Sequence, residues 1–244
     1  MLWPSPNFGE RRGVGRPRLV VLHYTGMPSF EGARDRLADP AAEVSAHYLI
    51  APDGRVLGMV AERDRAWHAG RSAWADADDV NSASLGIELA HPGGDGPWAA
   101  PPFPERQMAA LERVLAAILA RWSIPPAAVL AHSDVAPGRK IDPGETFDWA
   151  RLARRGLAAQ SAARPAPGAD GSAPTAHLES RFRHALRTIG YGDWPTRDLL
   201  DAFRRRWRPS AVEAPSSAAG EARAPTGEDV VVAEALARGP GLGP

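Results

Sequence analysis

The chain contains no cysteine, and this absence removes several classes of chemistry. Disulfide bonds, thiolate zinc sites, a cysteine nucleophile and a lipidated N-terminal cysteine are all excluded. A net charge is also lacking, because 29 Lys and Arg residues balance 29 Asp and Glu residues. Nothing therefore steers the whole chain towards nucleic acid or an anionic membrane, and we expect neither among its partners.

Long apolar runs are missing as well. No segment approaches the roughly 18 apolar residues that a membrane-spanning helix requires. The first residues, MLWPSPNFGERRG, do not combine a basic stretch with an apolar run of signal-peptide length. These absences predict a cytoplasmic protein, with the periplasm or cell envelope as the alternative. The 244 residues, 44% of them hydrophobic, suffice for one medium domain and a smaller second one.

The order of apolar patterns predicts an α/β fold, in which a central mixed sheet is flanked by helices. Apolar and β-branched runs predict strands at residues 19–22, 44–50, 55–61, 84–90 and 129–131. Apolar residues at helical spacing, with Ser29 as a cap for the first helix, predict helices at residues 29–38, 105–122 and 148–159.

A second unit follows a linker rich in Ala, Pro and Gly. It is predicted to contain three short helices, the first of them ended by Gly190 and the second capped by Thr196. The third helix is predicted to begin with a capping box formed by Thr226 and Asp229. The predicted organisation is a catalytic domain at 1–159, a linker at 160–174, a helical unit at 175–239 and a tail at 240–244.

One loop, AHSDVAPGRKIDPG at residues 131–144, concentrates candidate functional groups. Its Pro and Gly residues allow it to double back, so that His132 and Asp142 face one point. His23, at the end of the first predicted strand, could supply a third ligand. Two imidazoles and a carboxylate with an open fourth position suit a catalytic zinc ion. On spacing alone, the alternative stays open that both histidines merely end strands and the aspartate caps a turn.

Other residues also allow a functional and a structural interpretation. Glu88 interrupts an apolar strand, so it is either a general base or a surface-facing residue. Lys140 either polarises a carbonyl group or is a solvated loop lysine. Trp67 and His68 could line a substrate groove, with core packing as the alternative for Trp67. His47 is either a core residue or a support for a metal ligand. Three further histidines are expected at the surface: His91, His177 and His184.

Five stretches, taken in order, resemble the zinc-dependent N-acetylmuramoyl-L-alanine amidases, whose fold is shared with peptidoglycan-recognition proteins. They are VVLHYTG (20–26), VSAHYLI (44–50), AWHAG (66–70), NSASLGIEL (81–89) and AHSDVAPGRKIDPG (131–144). The resemblance implies one zinc ion per chain on His23, His132 and Asp142. It also implies Glu88 as the catalytic acid and base and Lys140 as the stabiliser of the tetrahedral intermediate. The residues of these stretches expected to bind the substrate are Tyr24, His47, Trp67, His68 and Asn81.

The implied reaction is hydrolysis of the amide bond between N-acetylmuramic acid, or its anhydro form, and L-alanine in peptidoglycan or muropeptides. Some relatives carry cysteine where this chain has Asp142, and recognition relatives without activity lack a zinc ligand. The complete ligand set here favours an enzyme. The helical unit resembles a peptidoglycan-binding module through the shorter stretches IGYGDWP (189–195) and DAFRRRWRP (201–209). A non-catalytic muropeptide-recognition protein and a zinc peptidase acting on the stem peptide stay open as alternatives.

Overall fold

A computed structural model describes residues 1–94, 100–160, 174–212 and 224–239. Residues 95–99 and 213–223, most of the predicted linker (161–173) and the predicted tail (240–244) lie outside the described residues. The strands are β1 (Phe8–Gly9), β2 (Leu19–Tyr24), β3 (Tyr48–Ile50), β4 (Val56–Gly58), β5 (Arg65–Ala66), β6 (Ser84–Leu89) and β7 (Val129–Ala131). The α-helices are α1 (Phe30–Ala38), α2 (Val80–Ala83), α3 (Glu105–Trp122), α4 (His132–Val135), α5 (Trp149–Arg154), α6 (Thr175–Ile189), α7 (Thr196–Trp207) and α8 (Gly227–Arg238).

A five-stranded mixed sheet in the order β4-β3-β6-β2-β7 forms the centre of the fold. Strand β2 pairs in parallel with β6 and β7, while β3 pairs in parallel with β6 and antiparallel with β4. The central strands β2 and β6 are almost continuously apolar because both of their faces are covered. The predicted α/β fold is confirmed, and the carboxyl ends of β2, β6 and β7 meet at one edge of the sheet.

Helix α3 covers one face of this sheet, and its bounds agree with the predicted 105–122. Its apolar stripe, which includes Met108, Leu115 and Ile118, is buried in one cluster with Leu22 of β2 and Ile87 of β6. The stripe therefore exists because one side of the helix must cover the apolar sheet while the other faces water.

Three predicted elements are shorter by several residues in the structure: the strands at 44–50 and 55–61, and the helix at 148–159. The strand predicted at 44–50 begins only at Tyr48, the first residue of β3, because the N–H of Ser45 donates to the carbonyl of Trp67 (3.0 Å) and not to a neighbouring strand of the sheet. Helix α5 stops early, because Gly156 adopts a left-handed conformation (φ +67°) and the N–H of Leu157 returns to the carbonyl of Leu152 (2.9 Å).

All three helices predicted for residues 175–239 are present, as α6, α7 and α8. Gly190 ends α6 with a φ of +126°, which is unfavourable for other residues. The capping box of Thr226 and Asp229 begins α8 as predicted. The capping role predicted for Thr196 is wrong: it is already the first residue of α7, and its hydroxyl bonds to α6.

The C-terminal helices pack on the sheet face opposite α3. One continuous cluster of buried apolar residues includes Val21 and Leu130 of the sheet together with Phe182, Leu186 and Phe203 of α6 and α7. The predicted division into two domains stays a prediction, as does the cytoplasmic location. Among the helices of the described ranges, none has both the length and the apolar character needed to cross a membrane.

Candidate active site

Parallel pairing brings three of the predicted functional residues to one edge of the sheet. His23 lies directly beside Glu88 in the ladder between β2 and β6. Leu22 pairs with Ala131 at the end of β7, so His132, the next residue, follows at the same level as His23. The carboxyl ends of parallel strands are where α/β folds place ligand sites, and the sheet register alone creates this grouping.

Asp142 reaches the same point because the loop after β7 folds back on itself. The N–H of Ser133 donates to the carbonyl of Asp142 (3.0 Å). The Nδ1 atoms of His23 and His132 lie 2.9 Å apart. Oδ2 of Asp142 lies 3.1 Å from Nδ1 of His23 and 3.0 Å from Nδ1 of His132. All three side chains are buried.

These three atoms suit a tetrahedral metal ion. Zinc bonds of about 2.0–2.1 Å to nitrogen or oxygen place neighbouring ligand atoms roughly 3.3 Å apart in a tetrahedron. The observed separations of 2.9–3.1 Å are close to that value. His23, His132 and Asp142 could therefore hold a metal ion, as the sequence predicts.

Hydrogen bonds on the outer nitrogens orient both imidazoles. Nε2 of His132 lies 3.1 Å from the carbonyl of Ala69, which can only accept, and 3.4 Å from the guanidinium of Arg139, which can only donate. The shorter contact favours a proton on Nε2, which leaves Nδ1 as a ligand. Nε2 of His23 lies 3.1 Å from Nδ1 of His68, whose Nε2 lies 3.3 Å from the hydroxyl of Ser84. That hydroxyl donates to a backbone carbonyl of α2, so it accepts from His68. Nδ1 of His68 then accepts from His23, and Nδ1 of His23 faces the metal position.

Burial sets the protonation states of the candidate ligands. It lowers the pKa of His23 to about 4, and the adjacent His132 imidazole adds to this shift. Burial alone would raise the pKa of Asp142, but its close contacts with the two imidazoles, that of His132 above all, lower that pKa below its usual range. At neutral pH His23 is therefore neutral and Asp142 is ionised, which are the forms that bind a metal ion.

Glu88 faces the same centre from β6. Its Oε2 atom is buried and has no hydrogen-bond partner among the residues that the structure describes. Burial raises the pKa of Glu88 to about 8; repulsion from Asp142 adds to the rise, and Lys140 opposes it. A carboxyl group whose pKa lies near neutrality is suited both to accept a proton and to return it.

A cleft of about 550 Å³ opens over the centre, a size typical of small-molecule sites. Glu88 and Lys140 line it together with the three candidate ligands. Three of the five residues expected to bind the substrate also line it: Tyr24, Trp67 and His68.

The other two residues expected to bind the substrate, His47 and Asn81, are not among the residues lining this cleft. The buried His47 ring accepts a hydrogen bond from the N–H of Gly86 (3.0 Å) and contacts the carbonyl of Asp64 (3.0 Å). Oδ1 of Asn81 accepts from two consecutive N–H groups, those of His68 and Ala69 (3.0 and 2.7 Å). Both side chains hold backbone segments next to the site.

Two arginines that the sequence-based prediction missed also line the cleft: Arg36 and Arg139. The guanidinium of Arg139 donates to the carbonyls of Ala69 and of Arg71, the latter at 3.0 Å. It therefore ties the ligand loop to the segment after β5. Its position directly before Lys140 was an available signal, whereas nothing local in the sequence marks Arg36 on α1.

The surface position predicted for His91 is wrong. The side chain is buried, stacks on Phe103 with ring centres 4.0 Å apart, and bonds to the carbonyl of Pro101 (2.9 Å). A histidine with an apolar ring face and a backbone partner packs like an aromatic residue. His177 and His184 are exposed, as predicted.

Comparison with known proteins agrees with this geometry. Residues 13–145 match the family described as N-acetylmuramoyl-L-alanine amidase. That segment is more than half of the chain and contains all three candidate ligands as well as Glu88 and Lys140. The chain belongs to the N-acetylmuramoyl-L-alanine amidase family. It is accordingly an amide hydrolase, as the resemblance of its five motifs implied.

Individual relatives extend the similarity beyond the matched segment. The N-acetylmuramoyl-L-alanine amidase AmiD of Escherichia coli (strain K12) is 35% identical over 239 residues, which cover 91% of this chain and 82% of AmiD. The 1,6-anhydro-N-acetylmuramyl-L-alanine amidase AmpD of Haemophilus influenzae is 33% identical over 165 residues, covering 60% of this chain and 86% of AmpD.

Solved structures show the same relationship. AmiD from E. coli, in complex with the substrate anhydro-N-acetylmuramic acid-L-Ala-D-gamma-Glu-L-Lys, superposes with a TM-score of 0.74 at 31% identity and covers 95% of this chain and 97% of that one. AmpDh3 from Pseudomonas aeruginosa gives a TM-score of 0.73 at 31% identity, covering 96% and 94%. This chain therefore shares its architecture over nearly its whole length with AmiD and AmpDh3.

Proposed function

We propose that this protein hydrolyses the amide bond that joins the lactyl group of N-acetylmuramic acid, or of its 1,6-anhydro form, to L-alanine. The observation that carries the proposal is the convergence of three ligand atoms within about 3 Å of one another, beside Oε2 of Glu88, for which the described part of the chain offers no hydrogen-bond partner. The substrate bound in the AmiD complex, an anhydromuramyl tripeptide, supports this choice of substrate.

We assign one zinc ion per chain to Nδ1 of His23, Nδ1 of His132 and Oδ2 of Asp142. When bound, zinc would supply Lewis acidity, which makes a water molecule more acidic and polarises a carbonyl group. The chain contributes the ligand geometry, and the bonds to Ala69 and His68 keep both imidazoles in the tautomer that this assignment requires.

Proton transfer is assigned to Glu88. A carboxylate oxygen of Glu88 takes a proton from the attacking water as oxygen adds to the carbonyl carbon. The same group then gives the proton to the alanine nitrogen as the C–N bond breaks, leaving a carboxylic acid on the lactyl group and a free amino group on the peptide. The ammonium group of Lys140 stabilises the negative oxygen of the tetrahedral intermediate.

Substrate contact is assigned to the aromatic and polar lining of the cleft. The indole of Trp67 offers a flat apolar face, and Tyr24 and His68 combine an apolar ring with polar atoms. Arg36 and Arg139 add positive charge, which suits the carboxylate groups of a stem peptide. His47 and Asn81 are assigned a supporting role through the backbone bonds that they make.

The decisive experiment incubates zinc-loaded protein with a defined anhydromuramyl tripeptide and identifies the products by mass spectrometry. The expected products are a free peptide that begins with L-alanine and the peptide-free anhydromuramic acid. Removal of metal with a chelator should abolish turnover, and readdition of zinc should restore it. Cleavage between amino acids would identify a peptidase, and intact substrate bound to zinc-loaded protein would identify a recognition protein; either result refutes the proposal.

A further inference from the structure

A fully buried carboxylate lies two residues after the candidate ligand His132. Oδ2 of this residue, Asp134, accepts from the N–H of Ala131 (2.8 Å) and from the guanidinium of Arg206, while Oδ1 accepts from the hydroxyl of Tyr191 (2.7 Å). Arg206 and Tyr191 both belong to the C-terminal helical unit. Asp134 thus links the residue that precedes His132 to a distant part of the chain.

Arg206 also contacts a backbone carbonyl and two indole rings. Its second Nη atom donates to the carbonyl of Val129 (2.8 Å), at the start of β7. The guanidinium lies over the rings of Trp149 and Trp207, 4.2 and 4.5 Å from their centres. The rigid, planar fork of arginine allows one side chain to make all of these contacts, which a lysine could not reproduce.

Arg206 lies in helix α7, and two further residues of this helix contact the ligand segment, which we define as residues 129–145 with the candidate ligands His132 and Asp142. Arg205 donates to the carboxylate of Glu145 (2.8 Å), three residues after the candidate ligand Asp142. Asp198, in the first turn of α7, lies against Gly138, where an added Cβ would approach its carboxylate carbon to 2.4 Å. Helix α7 therefore contacts the ligand segment before, between and after its two candidate ligands.

We propose that helix α7 positions two of the three metal ligands: Arg206 acts on His132 through Asp134, and Arg205 acts on Asp142 through Glu145. The third ligand, His23, lies in a central strand and is fixed by the sheet. The proposal rests on the metal site assigned above but not on the identity of the substrate.

The residues that gave the C-terminal unit its resemblance to a peptidoglycan-binding module fit this role. Tyr191 and Arg206 are 3% and 5% exposed, and both are directed at Asp134. Trp207 contacts the Tyr191 hydroxyl (3.4 Å) and the Arg206 guanidinium. Tyr191 and Arg206 therefore bind the catalytic unit, so these two side chains are not available to a wall polymer.

Helix α7 also offers a matched control. Arg204, two positions before Arg206, forms a similarly buried two-pronged ion pair, but its partner Asp229 lies in α8 and not beside a ligand. Loss of Arg206 leaves the buried Asp134 without its cation, whereas loss of Arg204 removes one of the two arginines that pair with Asp229, the other being Arg208. Both changes should lower stability. Only the loss of Arg206 should alter the metal site.

The test compares Arg206→Ala with Arg204→Ala at a temperature at which circular dichroism shows both to be folded. Zinc affinity is measured by chelator competition, and the visible absorption of the cobalt-substituted protein reports ligand geometry. We expect Arg206→Ala to weaken zinc binding 10- to 100-fold and change the cobalt spectrum, with kcat reduced and KM little changed. Arg204→Ala should keep the wild-type spectrum and bind zinc within about threefold of wild type. Glu145→Gln should also change the visible spectrum of the cobalt-substituted protein, but to a smaller extent than Arg206→Ala.

Wild-type zinc affinity and spectrum in Arg206→Ala, or equal losses in Arg204→Ala, would overturn the proposal. If Arg206→Ala does not accumulate as folded protein, Arg206→Lys decides, because it keeps the charge but replaces the two Nη atoms that bond Asp134 and the Val129 carbonyl with a single nitrogen. An unchanged metal site in that variant also overturns it. Zinc and cobalt binding are measured without substrate, so a wild-type protein that binds metal but hydrolyses no muropeptide would refute the proposed function and leave this test intact.

Discussion

His23 and Glu88 lie opposite each other on the parallel strands β2 and β6, so a candidate metal ligand and a candidate proton carrier share one face of the sheet. Side chains alternate between the faces of a strand, so a register shift of one residue would send them to opposite faces. Their proximity depends on strand pairing and not on any local motif.

The first prediction concerns Glu88 as the proton carrier. Glu88→Gln keeps the size of the side chain but removes its ability to take a proton, so kcat should fall at least about 100-fold while bound zinc stays stoichiometric. Turnover is measured with an anhydromuramyl peptide and zinc by elemental analysis. Glu31→Gln, at an exposed position of α1, is the control and should retain full activity. Near-wild-type turnover in Glu88→Gln would reject this role.

The second prediction concerns the hydrogen-bonded chain behind His23. Ser84→Ala removes the acceptor for Nε2 of His68 and loosens the orientation of His23, so zinc affinity should fall about 10-fold. The matched control is Ser5→Ala, because the hydroxyl of Ser5 is also buried and donates to a backbone carbonyl, that of Leu37. Equal zinc affinities in the two variants would show that the chain does not support the metal site.

The third prediction concerns the space that Gly86 leaves for His68. A Cβ at position 86 would lie 2.4 Å from Cγ of the His68 ring, so Gly86→Ala must displace that ring. We expect a loss of about 1–3 kcal/mol in the free energy of unfolding, measured with urea, together with weaker zinc binding. Gly9→Ala is the control, because an added Cβ there meets nothing within 4 Å. Wild-type stability and zinc affinity in Gly86→Ala would contradict this packing argument.

The fourth prediction concerns the pH dependence of stability. Burial alone would raise the pKa of Asp229, but hydrogen bonds from Arg204 and the N–H of Thr226 and the charge of Arg208 lower it. A lowered folded pKa means that this stabilisation is present above the unfolded pKa of about 3.9 and is lost as the pH falls through the folded pKa.

Asp229→Asn should therefore lower the free energy of unfolding by about 3–5 kcal/mol at pH 7, and the gap to wild type should narrow as the pH falls from 5 to 2. Urea unfolding at several pH values measures this. Asp193→Asn, which removes an exposed partner of Arg183, should have little effect at any of these pH values. A gap that stays constant down to pH 2 would show that ionisation of Asp229 does not stabilise the fold.

Much of the architecture was predictable from local patterns. The bounds of α3 follow from an apolar stripe at helical spacing, and the central strands follow from continuous apolar runs. The errors in the bounds and caps of single elements come from contacts with residues distant in sequence. Ser45 pairs with Trp67 outside the sheet, and Thr196 bonds to α6 instead of capping α7. His91 was misplaced because a single polar residue carries no periodic signal of its burial.

Motif order in the sequence was sufficient to name the family, the candidate ligands and the candidate proton carrier, because each lies in a short stretch of recognisable composition. The tertiary structure had to decide which side chains meet. His23 and Asp142 are 119 residues apart, and Asp134 and Arg206 are 72 apart. Contacts over such separations depend on sheet register and helix packing, which local propensity does not encode. For that reason only the folded chain shows that Arg36 lines the cleft, that His68 and Ser84 support His23, and that α7 contacts the ligand segment.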